Sequence, residues 1–147
     1  MDYWVKNYAG TLYWRDVKIC EFNIVNRELL HFKQFTKNHQ PWTFANRQPG
    51  YYELNFFFMT RLKEKDSMGI RDFLDAYYLK DYDPEEISKR ANGNNRADDY
   101  WVQYQNFGPQ TWEELKEVRE PYWKTGVLED YYHPVFENKI YEGIVEE

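Results

Sequence analysis

The side chains best able to do chemistry in this sequence are its paired carboxylates, Glu85-Glu86, Asp98-Asp99 and Glu113-Glu114. Two carboxyl groups can divide acid and base roles in glycoside hydrolysis. Glu86 and Glu114 have a simpler explanation. Each stands three residues after a helix-capping side chain, Asp83 or Thr111, and acids in a first helical turn suit the helix macrodipole. Asp98-Asp99 precedes a strand pattern instead, so its expected role is a hydrogen bond to a neighbouring loop. His31, His39 and His133 fall on three separate elements without an HExxH spacing, and the single Cys20 allows no CxxC, so no metal site is expected. Cys20 lies mid-strand on the apolar side, where it reads as packing rather than as a nucleophile. Phosphate loops of the GxxxxGK[ST] and GxGxxG types and a GxSxG elbow are missing, and ANGNN holds only Gly93. No catalytic constellation emerges, and the expectation is a non-enzymatic chain without a cofactor.

The stretch YWVKNYAGTLYWR interleaves rings with basic residues, as single-strand nucleic-acid platforms do. A net charge of -6 opposes that reading, and direct nucleic-acid binding is not expected. The acidity is concentrated after residue 80. There TWEELKEVRE sets Glu113, Glu117 and Glu120 on one helical face, a surface that fits a protein partner with a basic surface. Rings make up 20% of the chain, and Tyr and Trp surplus to a core make good interface anchors. Trp42 and Trp123 are nominated as such anchors, with Asp98 and Asp99 beside them.

These residues must be held by a scaffold that the apolar spacing describes. DYWVKNY alternates, with Tyr3 and Val5 on one face and Trp4 on the other, and Ala9-Gly10 is expected to turn the chain into TLYWRD as a hairpin. In VKICEFNI the face with Cys20, Phe22 and Ile24 is expected to be buried, opposite Val17, Ile19, Glu21 and Asn23. Asn26-Arg27 turns into ELLHFKQF, completing a sheet over residues 1–36. Residues 36–50 show neither period and read as a loop from which Trp42 and Phe44 fold back. Leu54, Phe57, Phe58 and Leu62 then form a helical stripe, and Ile70, Phe73, Leu74 and Tyr77 a second. DYDPEEISKRANG is a short capped helix, with Asp83 at the N-cap, Pro84 in the first turn and Gly93 as the left-handed stop. DYWVQYQ is a strand, and TWEELKEV restarts a helix from Thr111.

The predicted fold is therefore α+β in a single domain: an antiparallel sheet with three or four short helices packed on one face. Residues 51–119 are mainly helical with one strand, and residues 120–147 form an extended C-terminal arm. DYWV occurs at residues 2–5 and again at 99–102, but the continuations do not align, so both read as strand openings rather than a duplication. No apolar run approaches the roughly 20 residues that span a bilayer, and MDYWVKNY lacks the features of a signal peptide. With one cysteine, a cytoplasmic location is the expectation.

The run FLDAYYLKDYDPEEISKRANGNNRADDYWVQYQ, followed by TWEEL, resembles the N-terminal accessory region of HipA-like kinase proteins from Firmicutes. The matching positions are Tyr3 to Val5, Arg61, Phe73-Leu74, Tyr78-Leu79, Gly93, Asp98 to Val102 and Trp112. The ATP-binding and catalytic motifs of such a kinase are missing. The resemblance thus implies a stand-alone accessory domain with a role in regulation or contact, not kinase activity. The functional expectation is a protein-binding inhibitor or regulator, of the counter-defence kind carried by phages and mobile elements, such as an anti-CRISPR. Two alternatives stand beside it: an antitoxin-like regulator of a HipA-type kinase, and an enzyme of unrecognised chemistry.

Overall fold

Strand and helix periods alternate along the chain, and the computed structural model follows them closely; it describes residues 3–44, 48–62, 64–95, 98–104 and 108–123, with side chains as far as Val118 in the last helix. Strands β1 (Tyr8–Trp14), β2 (Val17–Val25) and β3 (Glu28–Gln34) form an antiparallel meander. Strand β4 (Tyr100–Gln103) joins the far side of β1, so the four-stranded sheet runs β3-β2-β1-β4. Helices α1 (Tyr51–Thr60), α2 (Ile70–Ala76), α3 (Pro84–Arg90) and α4 (Trp112–Trp123) complete an α+β fold. Among the described residues no helix is long and apolar enough to cross a membrane.

The core lies between the sheet and α1. Tyr8 and Phe22 meet Phe58 at ring distances of 4.7 and 5.2 Å, and Phe57 meets Tyr100 edge-on at 5.4 Å. Leu54, Phe57 and Phe58 are buried as the stripe requires, with Leu62 packed at its end. Phe73, Leu74, Tyr77 and Ile87 form a second cluster that joins α2 to α3. Asp83 caps α3 by accepting from the Glu86 amide at 3.2 Å, while the Glu86 carboxylate pairs with Arg90 rather than closing a capping box. Gly93, at φ 62°, ends that helix with its amide on the Ser88 carbonyl. Thr111 caps α4 through the Glu114 amide.

Five local expectations are corrected. Tyr3, Trp4 and Val5 lie outside any strand, and Ala9-Gly10 is not a turn, because β1 runs through Ala9 and Gly10. Gly10 serves close approach instead: a Cβ there would stand 2.6 Å from Val102 Cγ1 and 2.8 Å from the Gln103 carbonyl oxygen. Ile19 is buried beside Cys20, contrary to simple alternation, because the β1/β2 register slips between Leu12 and Tyr13 and leaves Ile19 as the extra residue of a bulge. In the 36–50 loop, Phe44 tucks in as expected but Trp42 stays exposed. Finally, α4 continues to Trp123, so residues 120–123 of the expected extended arm are helical, and residues 124–147 lie outside the described part.

Replacing Gly10 by Ala must push β4 away from β1, because the methyl meets backbone as well as the Val102 side chain. Gly10→Ala is expected to lower the unfolding free energy by about 2 kcal/mol, as overpacking does, measured by urea denaturation; wild-type stability would remove this account of the glycine.

Candidate functional site

The segment before β1 has no ladder partner, so its backbone groups must be satisfied in another way. Asn55, buried in α1, accepts from the Val5 amide at 2.7 Å and donates to the Tyr3 carbonyl at 3.2 Å. The Tyr51 hydroxyl donates to the Val5 carbonyl at 2.6 Å. Glu85, at the start of α3, accepts from the Lys6 and Asn7 amides and pairs with Lys89 at 2.9 Å. Partial burial works to raise the Glu85 carboxyl, but these hydrogen bonds and the lysine charge outweigh it, and the net shift is downward. Clipped on three sides, the segment buries Val5 and turns Trp4 outward.

Trp4 stacks on Tyr51 at 6.4 Å and meets Tyr52 edge-on at 5.9 Å. The remaining outward face of α1 continues this surface, since Tyr52, Phe56 and Thr60 repeat at four-residue spacing and all three are exposed. Leu30 joins from the sheet edge. The β2/β3 register slips between Asn23 and Ile24, which makes Leu30 the extra residue of a bulge and frees its side chain from the ladder. Exposures of 36% for Trp4, 60% for Leu30, 70% for Tyr52 and 41% for Phe56 are high for such residues. Trp4, Leu29, Leu30, Tyr51 and Tyr52, with Arg27 and Glu28, enclose a surface hollow of about 500 Å³.

The nominated aspartates are placed otherwise. Asp98 is not a surface residue: its side chain is 0% exposed, and Arg61, at 2%, grips both carboxylate oxygens at 2.8 and 2.6 Å. The same guanidinium donates to the Gly93 carbonyl at 2.6 Å and lies 4.4 Å above the Phe57 ring. This corrects the partner-binding role for Asp98, since a buried carboxylate needs a buried cation and is satisfied by it. Asp99 does reach a neighbouring loop, pairing with Arg15 of the β1/β2 turn at 2.7 Å. The two carboxylates therefore diverge and form no acid/base pair.

On α4, Glu113 and Glu117 are exposed as expected, with Glu113 paired to Lys116 at 2.9 Å. Glu120 and Trp123 lie in the same helix, but their side chains are outside the described part. Trp42 stands exposed in a 3-10 turn, Trp42–Phe44. Trp112 donates its amide to Asp16, which anchors α4 at the β1/β2 turn, whereas Trp4 and Arg27 occupy the opposite end of the sheet. Cys20 is buried, and that burial pushes its thiol up to about 12, so it is inert packing. His31 faces Glu21 at 3.5 Å and His39 stacks on Trp14 at 3.9 Å, while His133 lies outside the described residues.

The fold and this surface define a small α+β protein with an exposed aromatic face at one end of its sheet. No protein-family model, curated protein or solved structure matches the chain.

Trp4, Leu30, Tyr52 and Phe56 were not singled out from sequence. One signal could have found them: YYELNFFFMT is apolar almost all round, so a helix with one face in the core must present rings on the other.

Two outcomes follow from these contacts. Asp98→Asn leaves a buried guanidinium without its counter-charge and is expected to cost about 3–5 kcal/mol, whereas the double variant Arg61→Met, Asp98→Leu should cost less than the sum of its single changes in a urea-unfolding cycle. Because the folded Glu85 carboxyl titrates below its ordinary value, its stabilisation is present above that value and is lost as pH falls through the folded one. The stability gap between wild type and Glu85→Gln should therefore narrow steadily from pH 7 into the acid range, and a gap independent of pH would contradict the clip.

Proposed function

We propose that this protein is a non-enzymatic protein-binding inhibitor or regulator whose principal contact is the face formed by Trp4, Leu30, Tyr52 and Phe56. The observation that carries this reading is the outward stripe of α1, where Tyr52 lies exposed beside Trp4 and the bulged Leu30, with exposed Phe56 one turn further along the helix. Large rings contribute most of the energy in protein interfaces, and an isolated monomer gains nothing by holding them in water. The acidic α4, with Glu113 and Glu117, is a second contact in this proposal, suited to a partner with a basic surface. The net charge of -6 favours such a protein over a nucleic acid. Counter-defence inhibitor and kinase regulator are both roles of this kind and differ only in the partner.

The test is affinity capture with the full chain, comparing wild type, Tyr52→Asp, Phe56→Asp and the pair Glu113→Lys, Glu117→Lys. Both α1 changes fall on exposed positions and should leave the circular dichroism spectrum unchanged. Each is expected to weaken a specific complex by about 30-fold or more, the loss of one interface anchor. A partner retained equally by both α1 variants would remove this face from the function, and one retained by the α4 pair would remove the acidic contact.

A further inference from the structure

We infer that Arg27 reads a carboxylate on the partner, so that the aromatic face selects protein segments in which an acidic side chain neighbours an apolar one. This deepens the proposed function and rests on its assignment of the Trp4 face as a protein-binding surface.

Asn26 and Arg27 turn β2 into β3 with φ 50° and 66°, both in the left-handed region. Two-residue hairpin turns of this hand favour Asn followed by Gly, because glycine takes that conformation freely and other L residues do so rarely. The chain places an arginine there. The turn backbone needs nothing from the side chain, since the Arg27 amide donates to the Lys6 carbonyl whatever the residue. What the side chain does is lie over Trp4, its guanidinium carbon 5.1 Å from the ring centre, and reach the Tyr51 hydroxyl.

Its electrostatic situation differs from that of its counterparts. Arg15, Arg61, Arg71 and Arg90 each hold a carboxylate within 3.3 Å. Arg27 alone, among the arginines whose side chains are described, holds none. A guanidinium has five in-plane donors, so one stacked on a ring and engaged by a single hydroxyl keeps others free to match a carboxylate in bidentate fashion. Arg27 also borders two hollows at once: the 500 Å³ hollow with Leu30 and Tyr52, and one of about 360 Å³ with Tyr3, Lys6 and Glu85. A side chain entering the first hollow therefore passes beside an unpaired cation.

The surrounding charge sets the kind of anion. Glu28 lines the first hollow, and Asp83, Glu85 and Glu86 line the second. Such a rim repels a polyphosphate chain, whereas a single carboxylate can approach the guanidinium along the Trp4 ring. The occupant is accordingly an acidic side chain of a protein, with an apolar neighbour against Leu30 and Tyr52.

The experiment uses a displayed random-peptide library selected on the full chain, followed by affinities of the enriched peptides for wild type, Arg27→Gly, Arg27→Lys and Tyr52→Asp. Arg27→Gly relieves the left-handed backbone while losing the ring contact, so its melting temperature is expected to stay within a few degrees of wild type. The expected result is enrichment of Asp or Glu next to an apolar residue. Arg27→Gly should then bind such peptides about ten-fold or more weakly, the value of a charge-assisted pair, with Arg27→Lys in between. Peptides that depend on Tyr52 but bind Arg27→Gly as well as wild type would overturn this inference and leave the protein-binding face standing. Selected peptides indifferent to both positions, or none selected, would overturn both.

Discussion

The pairing of Arg61 with Asp98 decides how the second half of the chain meets the first. Arg61 ends α1, Asp98 opens β4, and the two lie 37 residues apart in sequence. Burying either charge alone would cost several kcal/mol, so the contact forms with good geometry or the region does not close. The geometry is supported on every side. The Asp98 carboxylate also accepts the Tyr100 amide, Asn94 donates to the Tyr100 carbonyl, and Asn95 donates to the Arg61 carbonyl. Gly93 supplies a further acceptor to Arg61 and sits where a Cβ would strike Val102. Strand β4, four residues long and bonded to β1 on one side, takes its place through this network as much as through its ladder.

That placement has consequences beyond β4. With Val102 seated against Gly10, the far edge of the sheet is closed by the α3 exit, where the Val102 amide reaches the Asn92 carbonyl. Strand β3 remains as the free edge. Its bulge at Leu30 and its charged Glu28 and Lys33 discourage further strand pairing, while the bulge delivers an apolar side chain to the neighbouring surface. The same edge that resists sheet extension thus contributes to a side-chain surface, and the proposed recognition there would work through pockets and rings rather than strand pairing.

Much of the scaffold was legible in the sequence because it is local. The caps at Asp83 and Thr111, the stop at Gly93, the Asn26-Arg27 turn and the buried face of Cys20, Phe22 and Ile24 each depend on residues within a few positions of one another. What was not legible depends on partners. Alternation in DYWVKNY reports an extended chain but not whether another strand lies beside it. A bulge such as that at Ile19 is a relation between two strands and leaves no mark in either alone. Gly10 looks like a turn residue until the approach of Val102 is known. For the candidate site, attention to acidic pairs led to Asp98, whose charge is spent on Arg61. The useful signal was the absence of a polar face in α1.

The two DYWV copies show how little the tetrapeptide itself determines. In both, Val is buried, but Trp4 is exposed whereas Trp101 is not. Trp101 is 0% exposed because β1 lies beside it: Tyr13 stacks on its ring at 4.9 Å, and its indole N–H donates to the Arg15 carbonyl at 2.7 Å. Trp4 has no ladder strand beside it: Asn55, Tyr51 and Glu85 hold the backbone of its neighbours mainly through side chains, with one backbone bond from Arg27 to Lys6. The ring is therefore packed by Tyr51, Tyr52 and the Arg27 guanidinium and remains 36% exposed. An extended segment clipped by side chains presents a tryptophan that the same residues, paired into a sheet, would bury. The difference between a buried and an exposed Trp here lies in the hydrogen-bond partners of the surrounding backbone.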